Sequence, residues 1–252
     1  MGTAISYADK VWPVTAGCTA VSAACEGCWA CRLAATRQEH HPDYRGLARR
    51  TDGGHYQWSG EVRLLPHHLD DPLHWRRPRV VFVDSQSDLF HESVPDDFIA
   101  KVWLTMARCP QHQFIVLTKR PERMMEMATA SPIGWHFGQL PNIVLGVTAE
   151  NQEEADRRIP ILLQTPAAKR WVSLEPLLQD LGEVNLDGIS WAVIGCESGP
   201  NARSMPLDWV RFLRDQCVAV GVKFYFKQCM SVVGKLIHLP ELDGRQWLEV
   251  PW

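Results

Sequence analysis

The sequence predicts a single-domain α/β protein, organised as a partial or full parallel β/α barrel across residues 1–252. Three observations predict it. Six short apolar runs recur from residue 80 onward, most without polar alternation, as expected of parallel strands buried on both faces. Stretches of helical character separate most of them, and strand alternating with helix argues a parallel sheet. Polar and charged residues gather directly after each run, and the C-terminal rim of a β/α barrel is where its active site forms. A length of 252 residues suits one such barrel.

The elements follow in order. Residues 29–38 read helical, directly after a cysteine-rich loop. Residues 39–60 are polar, carry Gly46, Gly53, Gly54 and Gly60, and read as a long loop or flap. Residues 61–65 suggest an early strand. Residues 66–75 hold His67, His68 and His74 and read as an amphipathic surface segment, with a metal or phosphate patch as the alternative. Val80-Val81-Phe82-Val83 then runs into Asp84-Ser85-Gln86-Ser87-Asp88, and Phe114-Ile115-Val116-Leu117 into Thr118-Lys119-Arg120. Ile143 to Val147 leads to Thr148-Ala149-Glu150-Asn151, and Trp171-Val172-Ser173-Leu174 to Glu175-Pro176. Trp191-Ala192-Val193-Ile194 leads to Gly195-Cys196-Glu197-Ser198-Gly199, and Val222 to Phe226 leads to Lys227-Gln228. Helices are expected at 95–108, 121–128, 152–164 and 206–220; three begin with proline, a favoured first-turn residue. Leu242-Asp243-Gly244-Arg245 predicts a turn before a final short strand. A doubly wound open sheet is the alternative architecture, although no Gly-x-Gly-x-x-Gly or Walker-type phosphate loop is present.

Composition narrows the setting. Hydrophobic residues make up 46% and charged residues 22%, ordinary for a globular protein. No apolar run approaches a membrane span, and residues 1–10 lack the basic and apolar regions of a signal peptide. They do fit Met-Gly-x-x-x-Ser, a short pattern also seen in myristoylated chains, which easily arises by chance. A net charge of −3 gives no global field drawing the chain to nucleic acid. The basic pairs Arg49-Arg50, Arg76-Arg77, Lys119-Arg120 and Arg157-Arg158 read mainly as solvated faces. Four of the eight cysteines fall between residues 18 and 31 and the rest are scattered, which argues against a disulfide framework and for a reducing, cytoplasmic setting.

Cys18, Cys25, Cys28 and Cys31 are the strongest chemical signal. Clustered thiols are soft ligands suited to zinc or iron–sulfur clusters. Three readings stand open on spacing alone. Cys18, Cys25 and Cys28 can hold three irons of a [4Fe–4S] cluster and leave the fourth iron open. Inclusion of Cys31, or of His40 or His41 in its place, can close a zinc site; four cysteines can also saturate a cluster. The third reading is four buried thiols without metal.

Specific motifs add a resemblance. Trp12-Pro13-Val14-Thr15 with Gly17-Cys18-Thr19 and Cys25-Glu26-Gly27-Cys28 resembles an uncharacterised bacteriophage and prophage protein family with a three-cysteine motif, regarded as radical S-adenosylmethionine-like. The resemblance continues through Ser85 to His91, Leu117 to Arg123, Leu145-Gly146-Val147, Glu150-Asn151-Gln152, Asp156 to Pro160, Ser173 to Leu177, Glu197-Ser198-Gly199 and Phe226-Lys227-Gln228. It implies a radical S-adenosylmethionine-like TIM barrel, cluster ligands at Cys18, Cys25 and Cys28, and S-adenosylmethionine as cofactor, with Cys31 outside the ligand set. The chain departs from the wider radical enzymes in cysteine spacing and in placing Trp29 after the last ligand. Cys196 and Cys229 stand where the family carries Gly and Trp.

In that reading the open iron binds S-adenosylmethionine, an external electron donor feeds the cluster, and a 5′-deoxyadenosyl radical abstracts hydrogen from substrate; the cofactors carry this chemistry and the protein positions them. Ser85, Ser87, Asp88, Arg120 and Glu150 are the candidates for cofactor contact, and Lys119, Glu175 and Glu197 for catalysis. Cys196 is a minor candidate for hydrogen-atom donation. A nucleoside, nucleotide or nucleic-acid substrate is expected from the phage association, with no membrane partner. The rival class is a non-catalytic, zinc- or iron–sulfur-stabilised nucleic-acid-binding or adaptor protein, which the near-neutral charge disfavours.

Overall fold

The computed structural model describes Thr3 and residues 5–129, 139–199 and 201–252. Met1 and Gly2, on which the myristoylation pattern rests, lie outside the described residues. In chain order the elements are β1 (Lys10–Trp12), β2 (Thr15–Ala16), α1 (Trp29–Ala34), β3 (Ala48–Arg50), β4 (Tyr56–Trp58), β5 (Arg63–Leu64) and β6 (Val80–Val83). Then come α2 (Asp96–Ala107), β7 (Gln113–Thr118), α3 (Pro121–Thr129), β8 (Ile143–Thr148), α4 (Gln152–Gln164), β9 (Lys169–Leu174) and β10 (Trp191–Gly195). The chain closes with α5 (Leu207–Val220), β11 (Lys223–Met230), β12 (Leu236–His238), β13 (Glu241–Leu242) and β14 (Arg245–Gln246).

Eight strands form one sheet in the order β1-β6-β7-β8-β9-β10-β11-β12. All neighbours are parallel except β11 and β12. The order never reverses, which excludes the doubly wound alternative: a sheet wound in one direction keeps its helices on one face and curls about the other. The result is a mixed α/β domain with a curled half-barrel sheet. Its first strand, β1, was not anticipated, because Lys10–Trp12 offers too short an apolar run. The expected strand at 61–65 forms as β5, but pairs antiparallel with β2 beside the main sheet. The flap at 39–60 contains the β3–β4 hairpin.

Side-chain alternation divides the core. Val81, Val83, Phe114, Val116, Leu145, Val172, Ile194 and Phe226 face α2 to α5 and meet Val102, Met124, Ile159 and Leu213. The intervening positions Phe82, Ile115, Val144, Trp171, Trp191, Val193 and Tyr225 fill the concave face together with Tyr7. Trp171 and Trp191 stack with ring centroids 4.9 Å apart. Each indole N–H finds a carbonyl: Trp171 donates to Val116 O at 3.0 Å and Trp191 to Glu249 O at 2.8 Å. Gly146 in β8 makes room for this layer, since a Cβ there would stand 2.7 Å from Trp171 Cε2. Pro95 and Pro206 cap α2 and α5, and Pro121 opens α3. Asp243 (φ 54°) and Gly244 (φ 85°) form the anticipated turn between β13 and β14. Among the described residues no helix is long and apolar enough to cross a membrane. All eight cysteines are free.

Candidate functional site

The aromatic layer stops short of the C-terminal strand ends. Above it the same inward-facing register turns polar: Trp171 is followed by Ser173, and Tyr225 by Lys227. These residues line a cavity of about 190 Å³, joined by Asp84 to Asp88 after β6, Thr118 to Arg120 after β7, Glu175 after β9, and Cys196 to Ser198 after β10. Cys18, Cys25 and Cys28 line the same cavity from the opposite side.

Local structure explains how one loop brings three thiols there. Gly17 takes a positive φ of 91°, and a Cβ on it would run into Glu61 O. Its carbonyl accepts the Ser87 hydroxyl at 2.6 Å, fixing the start of the cysteine loop to the β6 end. Asp84 fastens the preceding residues: its Oδ1 accepts Val14 N–H at 2.8 Å and Thr15 N–H at 2.9 Å. Burial pushes the Asp84 carboxyl up to about 7, against the opposing effect of these hydrogen bonds. Cys25 ends the 3-10 turn Ala23–Cys25, and Cys28 caps α1. Cys31, one turn into α1, is buried and does not line the cavity.

Charged pairs brace this loop. Asp88 accepts Thr118 Oγ1 at 2.7 Å, Lys119 N–H at 3.1 Å and Arg120 Nη1 at 3.1 Å. Arg120 also donates to Thr19 Oγ1 at 2.7 Å and Glu92 at 2.8 Å, and its Nη1 lies 3.9 Å from Cys18 Sγ. Burial, with Asp88 adding to it, pushes the Cys18 thiol up to about 12, while Arg120 pulls the other way. Metal binding at such a thiol displaces a proton. On the far side Glu197 takes three hydrogen bonds from Arg203, at 2.6, 2.9 and 3.0 Å. Arg203 in turn donates to Ala23 O at 2.9 Å. Burial would raise the Glu197 carboxyl, but Arg203 outweighs it and holds the group below the usual carboxylate range.

Glu150 sits beneath the loop, fully buried, and does not line the cavity. Its carboxylate meets Ala24 N–H at 3.2 Å and Arg158 at 3.0 Å. Burial favours its neutral form, yet Ser22, Arg158 and Lys119 together keep it lowered. On the cavity floor Glu175 is paired with Lys227 Nζ at 2.7 and 2.8 Å. Lys119 and Ser85 line the cavity, and neither Lys119 Nζ nor the Ser85 hydroxyl has a hydrogen-bond partner among the described residues. Gln86, another lining residue, keeps a buried Oε1 unpartnered.

The candidates therefore divide. Ser85 and Lys119 are open to a ligand; Glu175 and Lys227 can exchange their mutual pair for one. Ser87, Asp88, Arg120, Glu150 and Glu197 are committed to holding the cysteine loop. Arg158 is a correction to the reading of Arg157-Arg158 as a solvated face: it is fully buried between Glu150 and Glu154. The i,i+4 spacing from Glu154 was its only sequence signal. Asp84, Gln86 and Lys227 follow or end apolar runs and were visible as rim residues without being selected. Arg203 was not selected: it lies six residues after Glu197, its main partner, beyond any helical or strand spacing, and its contact with Ala23 O spans 180 residues.

The donor set also bears on which metal group fits. A tetrahedral zinc with Zn–S bonds of about 2.3 Å holds sulfurs roughly 3.8 Å apart. No group of three ligand atoms drawn from Cys18, Cys25, Cys28 and Cys31 lies within 4.8 Å of one another. Nor do His40 and His41 join them: His40 faces Glu39, and His41 faces Asp43. Arg120 and Arg203 stand near the cysteine loop, where they can offset the negative charge of thiolates.

Comparison with known proteins places the chain in one family. A family model described as "Protein of unknown function (DUF5131)" matches residues 2–251, and the chain belongs to that family. No curated protein and no solved structure matches it.

Proposed function

We propose that this member of the family is a radical S-adenosylmethionine enzyme with a radical S-adenosylmethionine-like half-barrel. Cys18, Cys25 and Cys28 would hold a [4Fe–4S] cluster. One observation carries the reading: three thiols from a single loop and the polar strand ends of the sheet line the same cavity. When bound, the cluster supplies the electron that cleaves S-adenosylmethionine reductively and starts hydrogen abstraction.

The chain's own residues do the rest. Arg120, beside Cys18, and Arg203, against Ala23, place positive charge around the thiolates. Lys119 offers a cation to the carboxylate of S-adenosylmethionine. Gln86 Oε1 and the Ser85 hydroxyl offer acceptors to its ammonium or ribose hydroxyls. The aromatic layer beneath the cavity closes the half-barrel to water from below. Glu175 and Lys227 form the floor on which substrate rests, and their ion pair orders both side chains beforehand. The phage and prophage resemblance directs the substrate search to nucleosides, nucleotides and nucleic acids in a reducing cytoplasmic setting, with an external reductant.

Anaerobic reconstitution tests this directly. The expected protein is brown, with about four irons and four sulfides per chain, and yields 5′-deoxyadenosine from S-adenosylmethionine under reduction. Cys31→Ala should keep the iron, whereas Cys18→Ser, Cys25→Ser and Cys28→Ser should each lose it. Colourless protein carrying one zinc, or a full cluster that never cleaves S-adenosylmethionine with or without nucleosides, overturns the proposal.

A further inference from the structure

Away from the cavity, the flap and the 3-10 turn Pro66–His68 bring three ligand-bearing side chains together. His67 Nε2 lies 3.3 Å from Asp43 Oδ1, and His68 Nε2 lies 3.6 Å from Asp43 Oδ2. One ligand atom from each falls within 4.8 Å of the other two, and no other His, Cys, Asp or Glu trio among the described residues does so. A tetrahedral zinc with bonds near 2.0–2.1 Å separates its nitrogen and oxygen ligands by roughly 3.3 Å. The spacing that the cysteines lack is therefore present here.

A second observation concerns the His68 ring. Its Nδ1 lies 2.7 Å from Asp71 Oδ2. With Nδ1–H donated to Asp71, the neutral ring turns its Nε2 lone pair toward Asp43. A cation between that lone pair and the carboxylate satisfies both, as a proton on Nε2 paired with Asp43 would in the absence of metal. Carboxylate–histidine–metal chains have this arrangement, the carboxylate fixing the tautomer and the ring orientation. The backbone is fixed as well: Trp12 Nε1 donates to His68 O at 2.6 Å, which ties the turn to β1.

We propose that Asp43, His67 and His68 form a second metal site, for a divalent first-row cation of the zinc type, with Asp71 as the positioning carboxylate and solvent completing the coordination. The ion joins the flap to the Pro66 turn. Because the flap carries Trp58, a cavity-lining residue, the ion also steadies one wall of the cysteine site. The proposal does not depend on the identity of the group held by the cysteines.

The test uses the full chain with Cys18, Cys25 and Cys28 all replaced by serine, so that thiols do not compete. Titration with Zn²⁺ against a chromophoric chelator should give one equivalent. His67→Gln or His68→Gln should weaken it at least tenfold, and Asp71→Asn about 10–100-fold. His67 is exposed, so its substitution leaves folding intact, and urea unfolding of the metal-free variant checks this. Zinc should also slow tryptic cleavage after Arg49 and Arg50 in the flap. Absence of zinc binding in the triple-serine chain, or binding unchanged when both histidines are replaced, overturns the site; the histidines then serve only as ion-pair partners of Asp43. Bound zinc without flap protection overturns the steadying role.

Discussion

Gly27→Ala should damage the cysteine loop through Glu197, at a position where backbone conformation is not the obstacle. Gly27 lies outside the left-handed region, so alanine is compatible with its φ. The obstacle is space: a Cβ would stand 2.7 Å from Glu197 Cδ and closer still to Oε1. Ordinary contact begins at about 3.4 Å, so the carboxylate must move by roughly 0.7 Å at Cδ and by more than an ångström at Oε1. It is not free to do so, because Arg203 holds it with three hydrogen bonds and the side chain is 6% exposed. Hydrogen bonds to charged groups are worth about 1.5–3 kcal/mol each, and overpacking costs about 1–3 kcal/mol. Losing one bond or straining all three gives an expected loss of about 2–4 kcal/mol. Glu197→Ala removes the obstacle, so Gly27→Ala in that background should cost under about 0.5 kcal/mol. The double-mutant cycle, read by urea unfolding of the metal-free protein, should show a coupling of about 2 kcal/mol or more. Costs that add within about 0.5 kcal/mol would refute the argument, since independent sites behave that way.

Three further outcomes are expected. Glu150→Ala strands the fully buried Arg158 with Glu154 and the Thr148 carbonyl, and should destabilise the chain by about 3 kcal/mol in urea unfolding; a loss under about 1 kcal/mol would show that Arg158 does not need it. Asp84, raised to about 7 in the fold, binds its proton more tightly folded than unfolded. Its favourable contribution is therefore complete below about pH 4 and disappears as pH rises through 7, on the order of 4 kcal/mol in all. The stability difference between wild type and Asp84→Asn should shift by that order between pH 4 and 8, and a flat difference refutes the assignment. Lys119→Met should weaken S-adenosylmethionine binding to the reconstituted protein at least tenfold with only a small shift of the urea midpoint, because Lys119 Nζ makes no hydrogen bond among the described residues and acts on Glu150 through its charge alone; an unchanged affinity removes Lys119 from the cofactor site.

Much of the architecture was legible along the chain. Strand periodicity and strand-end polarity are local properties, so β6 to β11, the helices between them and the polar rim could all be read from runs of a few residues. The cysteine cluster between residues 18 and 31 was equally plain as spacing within one loop, but spacing left open whether Cys31 belongs with Cys18, Cys25 and Cys28; in the fold only those three line the cavity. The tertiary structure decided what local patterns do not encode. The sheet order, set by how each crossover packs, turned an open choice between wound and curled sheets into a half-barrel. It also decided which charges are spent. Asp88, Glu150 and Glu197 look alike in sequence as acids after strands, yet each is consumed by an arginine that the fold brings against it. Lys119 alone among the selected charges has no hydrogen-bond partner for its charged group among the described residues. Arg203 with Ala23, and Asp43 with His67 and His68, meet across long loops, where contact follows from the path of the whole chain. Residue type and spacing fix which chemistry is available; only the fold, by pairing some charges and leaving others open, fixes where it can act.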